Sequence, residues 1–268
     1  METGPLFISV FGLQATEMAR TGSGNVLCLH GVAAHGLRFL RLAELLPGRT
    51  IIAPDLRGHG RSPKHRPYSV EQHVHDLAPL IRRLGPRVIL LGHSYGGLLA
   101  WELARYAPDQ LRALILVDPA ISVSRELAQQ QTALLDADAS WPNGADAFVD
   151  LMAAHPATAA WSVGLDLGGA LESAGGVTWH SRVAREALRE AWRQMVEPLQ
   201  PSLYRGPTLL VEAGREHGAY VSARLVAALR EQLGDRLEHV IVDAPHAITA
   251  DAPELLAEHV ADFLDRVG

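Results

Sequence analysis

The residues best suited to covalent chemistry lie in Val88-Ile89-Leu90-Leu91-Gly92-His93-Ser94-Tyr95-Gly96-Gly97, an apolar run that passes into an apolar helical pattern. A Gly-x-Ser-x-Gly pattern between a strand and a helix forces its serine into a tight, strained turn, and the flanking glycines remove side chains that would clash there. The hydroxyl of Ser94 then projects above the carboxyl ends of the strands, where α/β sheets bind ligands. The N–H of Tyr95 opens the following helix and faces the same space, where it can stabilise an oxyanion. A serine hydroxyl is a weak nucleophile and needs an adjacent base that is neutral near pH 7, which makes histidine the natural partner.

The chain has 13 histidines. His73 and His75 are two apart on a predicted helix and face different sides. His93 belongs to the elbow itself, with its ring expected to point away from the Ser94 hydroxyl. His259 falls inside the terminal helix. His246 follows a strand and precedes that last helix, at the edge of the sheet where Ser94 emerges, and is the expected base. Other reactive types are scarce. The single cysteine, Cys28, sits in an apolar strand and reads as packing, and Lys64 is the only lysine, which almost removes amine chemistry. Asp55, His59 and His65 do not have the spacing of a closed metal site, so no metal is expected.

These residues need elements to position them. Short apolar runs at Leu6–Phe11, Asn25–His30, Thr50–Pro54, Val88–Leu91, Leu111–Val117, Thr208–Val211 and Leu237–Val242 read as strands, with a weaker strand over Gln14–Arg20. Helical patterns follow at Ser69–Leu84, with Ser69 and Gln72 as a capping box and Pro79 as an internal kink, and at Leu98–Ala107, Ser222–Leu233 and Pro253–Val267. Alternating strands and helices with nearly continuous apolar strands specify a parallel sheet covered on both faces. The alternation breaks over 122–205, about 84 residues rich in alanine, with an irregular helical reading and glycine pairs at Gly168-Gly169 and Gly175-Gly176. Four of the five tryptophans fall there, and Trp141, Trp161 and Trp179 are the expected substrate-facing ones.

The whole chain resembles the α/β-hydrolase fold superfamily, in its serine esterase and lactonase-like form. His30-Gly31 after a strand matches the HG turn, which implies Val32 as the second oxyanion N–H. Asp55-Leu56-Arg57-Gly58-His59-Gly60-Arg61-Ser62 matches the DxRGxGxS stretch, which is usually structural. Gly92–Gly97 matches the nucleophile elbow and Pro245-His246 the catalytic histidine loop. The resemblance implies an α/β-hydrolase fold: a mostly parallel sheet flanked by helices, with a core of 1–121 and 206–268 and a helical cap, 122–205, inserted after the sixth strand.

The acid departs from the commonest pattern. Many relatives carry Asp in a G-x-x-D turn after the seventh strand, but this chain has Gly214-Arg215-Glu216-His217. Some relatives place the acid at the end of the sixth strand, where Leu114-Ile115-Leu116-Val117-Asp118 presents Asp118. Asp118 is the first choice and Glu216 the alternative, because a carboxylate must orient the imidazole and stabilise its cation.

The function expected is hydrolysis of a carboxylic ester or lactone through an acyl-enzyme, with no metal or organic cofactor. C–C bond hydrolases, thioesterases and perhydrolases use the same triad, and a ligand-binding protein on this scaffold is the alternative of another class. Hydrophobic residues make up 48% of the 268 and charged residues 20%, ordinary values for a globular chain. A net charge of −6 argues against a nucleic-acid partner. No window of 18 apolar residues predicts a membrane span, and the N-terminal METGPLFISVFG lacks the pattern of a signal peptide. The expectation is a cytoplasmic protein acting on a small, largely apolar substrate.

Overall fold

The computed structural model describes residues 6–10, 12–18, 24–134, 140–154, 160–169, 171–174, 178–181 and 183–267. The first part of the chain forms β1 (Leu6–Val10), β2 (Leu13–Met18), β3 (Gly24–Leu29), α1 (Leu40–Leu45), β4 (Arg49–Pro54), α2 (Val70–Leu84), β5 (Val88–His93), α3 (Tyr95–Tyr106) and β6 (Leu111–Val117). Then come α4 (Arg125–Leu134), β7 (Ser140–Trp141), α5 (Gly144–Ala154), α6 (Ala160–Gly169), β8 (Leu171–Ala174), β9 (Thr178–Ser181) and α7 (Arg185–Met195). The chain closes with β10 (Thr208–Ala213), α8 (Ala223–Leu233), β11 (Leu237–Val242), α9 (Ile248–Asp251) and α10 (Pro253–Arg266).

The main sheet has eight strands in the order β1-β2-β4-β3-β5-β6-β10-β11. β1–β2 and β2–β4 are antiparallel, and every other neighbour is parallel. All six residues of β5 and all six of β10 are buried, as expected for central parallel strands covered on both faces. Alternate side chains go to opposite layers. Val88 and Leu90 join the face covered by α2, α3 and α8, while Ile89 and Leu91 join the face covered by α1 and α10.

Local chemistry sets the helix ends. Ser69 Oγ accepts from the Gln72 N–H at 3.2 Å and caps α2, but the Gln72 side chain reaches Asp76 at 2.9 Å, so the reciprocal half of the capping box is not used. α2 continues as one helix through Pro79. Ser222 caps α8 in the same way, accepting from Leu225 N–H at 3.1 Å. α3 begins three residues before the expected Leu98, because the elbow turns directly into helix.

Residues 122–205 are not purely helical. β7, β9 and β8 form a separate three-stranded antiparallel sheet among α4–α7. These strands are two to four residues long and were hidden because periodicity needs longer windows. α1, six residues long, escaped for the same reason. Among the described residues, no helix is long and apolar enough to cross a membrane.

Candidate active site

Ser94 is held at φ 54°, ψ −120° between β5 and α3, a backbone region that a residue with a Cβ rarely occupies. The surroundings fix it there. Its N–H donates to Val117 O at 3.0 Å, and its carbonyl accepts from Gly97 N–H at 2.8 Å and Ala120 N–H at 3.0 Å. The glycines are required by close approach. A Cβ on Gly92 would come 2.1 Å from Gly96 O, and one on Gly96 would come 2.1 Å from Leu29 O.

Ser94 Oγ lies 3.0 Å from His246 Nε2, and His246 Nδ1 lies 2.5 Å from Asp118 Oδ2. Asp118 directly follows β6 and is fully buried. Burial alone would raise its carboxyl pKa, but the hydrogen bond to His246 and the N–H groups of Tyr220 (3.1 Å) and Ala213 (3.2 Å) outweigh that and hold it below the usual carboxylate value. The structure therefore brings Asp118, and not Glu216, to the imidazole. Glu216 is exposed in the short turn Arg215–His217 after β10.

Two aromatic residues frame His246. Tyr220 stacks on its ring at 3.7 Å and 22°, and Trp192 meets Tyr220 edge-on at 6.0 Å. His93 corrects an expectation. Its ring does not turn away from the site: it lies 5.0 Å from the His246 ring, and Nε2–H donates to the His246 carbonyl at 2.8 Å. Burial, then the neighbouring His246, lowers its pKa to about 3, which keeps it neutral and fixes Nε2 as the donor. The tight elbow makes this possible by pressing His93 against the loop that carries His246.

The two expected oxyanion donors belong to segments next to Ser94. Tyr95 is the first residue of α3, where no intrahelical acceptor exists for its N–H. Val32 lines the cavity around Ser94. A Cβ on its neighbour Gly31 would sit 3.0 Å from Ser94 Cβ, so this loop lies directly against the serine.

That cavity, about 140 Å³, is lined by Val32, Ala34, Phe39 and Ala247 together with Arg38, His93, Thr249 and His30. Its mixed polarity differs from the apolar lining expected from the tryptophan content. Trp141 and Trp161 are not among its lining residues. Trp141 donates its indole N–H to Asp150 at 2.7 Å, and Trp161 is 39% exposed. Trp179 pairs with Trp141 through the backbone, but its side chain lies outside the described residues. Arg38, Tyr220 and Thr249 were not singled out from sequence.

The remaining motif residues are structural. Asp55 accepts from Gly36 N–H (2.8 Å), Arg61 N–H (3.0 Å) and Arg61 Nε (2.9 Å). His30 Nε2 accepts from Leu56 N–H at 2.9 Å, and Nδ1–H donates to Gly31 O at 2.8 Å, while burial lowers its pKa to about 4. His59 is buried and held neutral by that burial. Cys28 is buried in β3, which pushes its thiol pKa up. Among the described residues, no group of three or more His, Cys, Asp or Glu side chains could hold a metal.

The comparisons with known proteins agree with this architecture. Residues 26–259 match the alpha/beta hydrolase family. Lipase LipV of Mycobacterium tuberculosis is 32% identical over 255 residues, which cover 92% of this chain and 96% of that protein. The crystal structure of an E-2-(acetamidomethylene)succinate hydrolase superposes with a TM-score of 0.86 at 25% identity, covering 98% of this chain and all of that one. The esterase Rv0045c from M. tuberculosis gives a TM-score of 0.73 at 25% identity over 98% of this chain and 91% of its own. An eight-stranded sheet, a strained serine elbow and a match across most of the sequence together establish that the chain belongs to the alpha/beta hydrolase family.

Proposed function

We propose that the protein is a serine hydrolase that cleaves a carboxylic ester or lactone, with Ser94, His246 and Asp118 as its triad. One observation carries this reading: the continuous chain from Ser94 Oγ to His246 Nε2 at 3.0 Å and from His246 Nδ1 to Asp118 at 2.5 Å. The esterase and lipase relatives support ester cleavage.

In the proposed reaction His246 Nε2 takes the proton of Ser94 as Oγ attacks the substrate carbonyl. The N–H groups of Val32 and Tyr95 stabilise the oxyanion. The imidazolium, stabilised by ionised Asp118, then donates its proton to the leaving alcohol oxygen. Water, activated by His246, hydrolyses the acyl-enzyme and restores Ser94. Residues 122–205 serve as the cap of this site, over a core made of 1–121 and 206–268.

A fluorophosphonate probe tests the nucleophile. Labelling of the wild type and none of Ser94→Ala is expected. Undiminished labelling of Ser94→Ala would remove Ser94 from the role.

A further inference from the structure

Among the described residues, one permanent cation lines the cavity at Ser94. Arg38 sits in the short turn after β3 and lines the same cavity as Ser94, Val32 and His246. Two residues of α6 hold its guanidinium: NH1 donates to Ser162 Oγ at 2.7 Å and NH2 to Asp166 Oδ2 at 2.6 Å. The other oxygen of Asp166 meets His35 Nε2 at 3.0 Å. A guanidinium has five N–H donors. Ser162 and Asp166 accept two of them, Nε is buried without an acceptor, and the side chain is 20% exposed. The group is thus oriented by α6 without being saturated.

The cavity also limits the size of what can occupy it. It is small, about 140 Å³. Thr249 and His93 add further polar surface to the wall.

Resting on the serine-hydrolase reading above, we propose that Arg38 determines specificity by binding a carboxylate on a short acyl group, so that the substrate is an ester or lactone of a small dicarboxylic acid. A planar, permanently charged fork matches a carboxylate. This departs from the largely apolar substrate expected from the composition of 122–205. Asp166 has a second consequence: as the counter-ion already in place, it competes with the substrate carboxylate for the guanidinium. Removing Arg38 and removing Asp166 therefore have opposite effects on preference for an anionic acyl group.

The test compares kcat/KM for 4-nitrophenyl hydrogen succinate and 4-nitrophenyl butyrate in wild type, Arg38→Met and Asp166→Asn. Wild type favours the succinate ester. Arg38→Met lowers that preference by about ten- to a hundredfold, the scale of a hydrogen bond to a charged group. Asp166→Asn raises the preference. A purely structural latch between α6 and the core would move both variants in the same direction on both esters, and that result overturns the proposal. If Arg38→Met does not fold, an unchanged or lowered preference in Asp166→Asn overturns it. If wild type cleaves neither ester, the serine-hydrolase reading falls separately. Calorimetric titration with succinate then decides on Arg38, with no binding to the wild type counting against it.

Discussion

In β5 and β10 every side chain is buried, whereas in the region between β6 and β10 Val149 is 64% exposed and Trp161 39%. The first region is fixed by backbone crossings and a packed sheet. The second is attached by buried apolar residues of α4 and α7, among them Ala128, Ala191, Trp192 and Met195, and by polar contacts, among them Arg38 and His35 to Asp166 and the Ala184 N–H to Gly58 O at 2.7 Å. The difference explains where the proposed triad sits. Ser94, Asp118 and His246 each follow directly on, or lie just beyond, a strand of the packed sheet.

The contrast is broken most severely at the elbow. Gly96→Ala puts a Cβ 2.1 Å from Leu29 O, and because that obstacle is backbone no rotamer relieves it. A loss of stability of about 3 kcal/mol is expected, readable in urea unfolding. A near-wild-type midpoint would show that β3 and α3 approach each other less rigidly than described.

Acid should loosen the core through its buried histidines. His93 and His30, with pKa values lowered by burial to about 3 and about 4, stay neutral in the folded protein while the unfolded chain takes up protons below about pH 6.5. Stability is therefore full above that pH and falls as pH drops towards the folded values, by up to about 1.4 kcal/mol per pH unit for each group. The depressed carboxyl pKa of Asp118 has the acidic counterpart: its contribution is present above the unfolded carboxylate value of about 3.9 and disappears only below it. Unfolding midpoints between pH 7.5 and 5.5 isolate the histidines. His93→Gln should flatten the slope, and an identical slope in the variant would contradict the assignment.

The smallest effects belong to the outer region. Trp141→Ala and Trp161→Ala, at side chains that do not line the Ser94 cavity, should change kcat/KM on a small ester by no more than about threefold, the scale of a surface substitution. A tenfold loss would mean that these tryptophans reach the substrate after all.

The same contrast governs how much was legible in the sequence. Gly92, Ser94 and Gly96 announce the elbow because a tight strand-to-helix turn tolerates few other residues, and His246 announces itself by its position after β11. The choice between Asp118 and Glu216 could not be made from residue order, since both lie between Ser94 and His246. Space decides it, because the ends of β6 and of the His246 loop adjoin while the turn after β10 directs Glu216 to solvent. Tyr220 and Arg38 were hidden because their roles depend on contacts across the chain, 26 residues to His246 for Tyr220 and 128 to Asp166 for Arg38. The small sheet β7-β9-β8 was hidden because its strands are shorter than any periodic signal.

The proposed triad is tested most directly by the turnover of one activated ester by Asp118→Asn and Glu216→Gln. If Asp118 orients His246, Asp118→Asn lowers kcat by about 10⁴, while Glu216→Gln stays near wild type. A comparable loss in Glu216→Gln, or an active Asp118→Asn, would contradict the assigned triad.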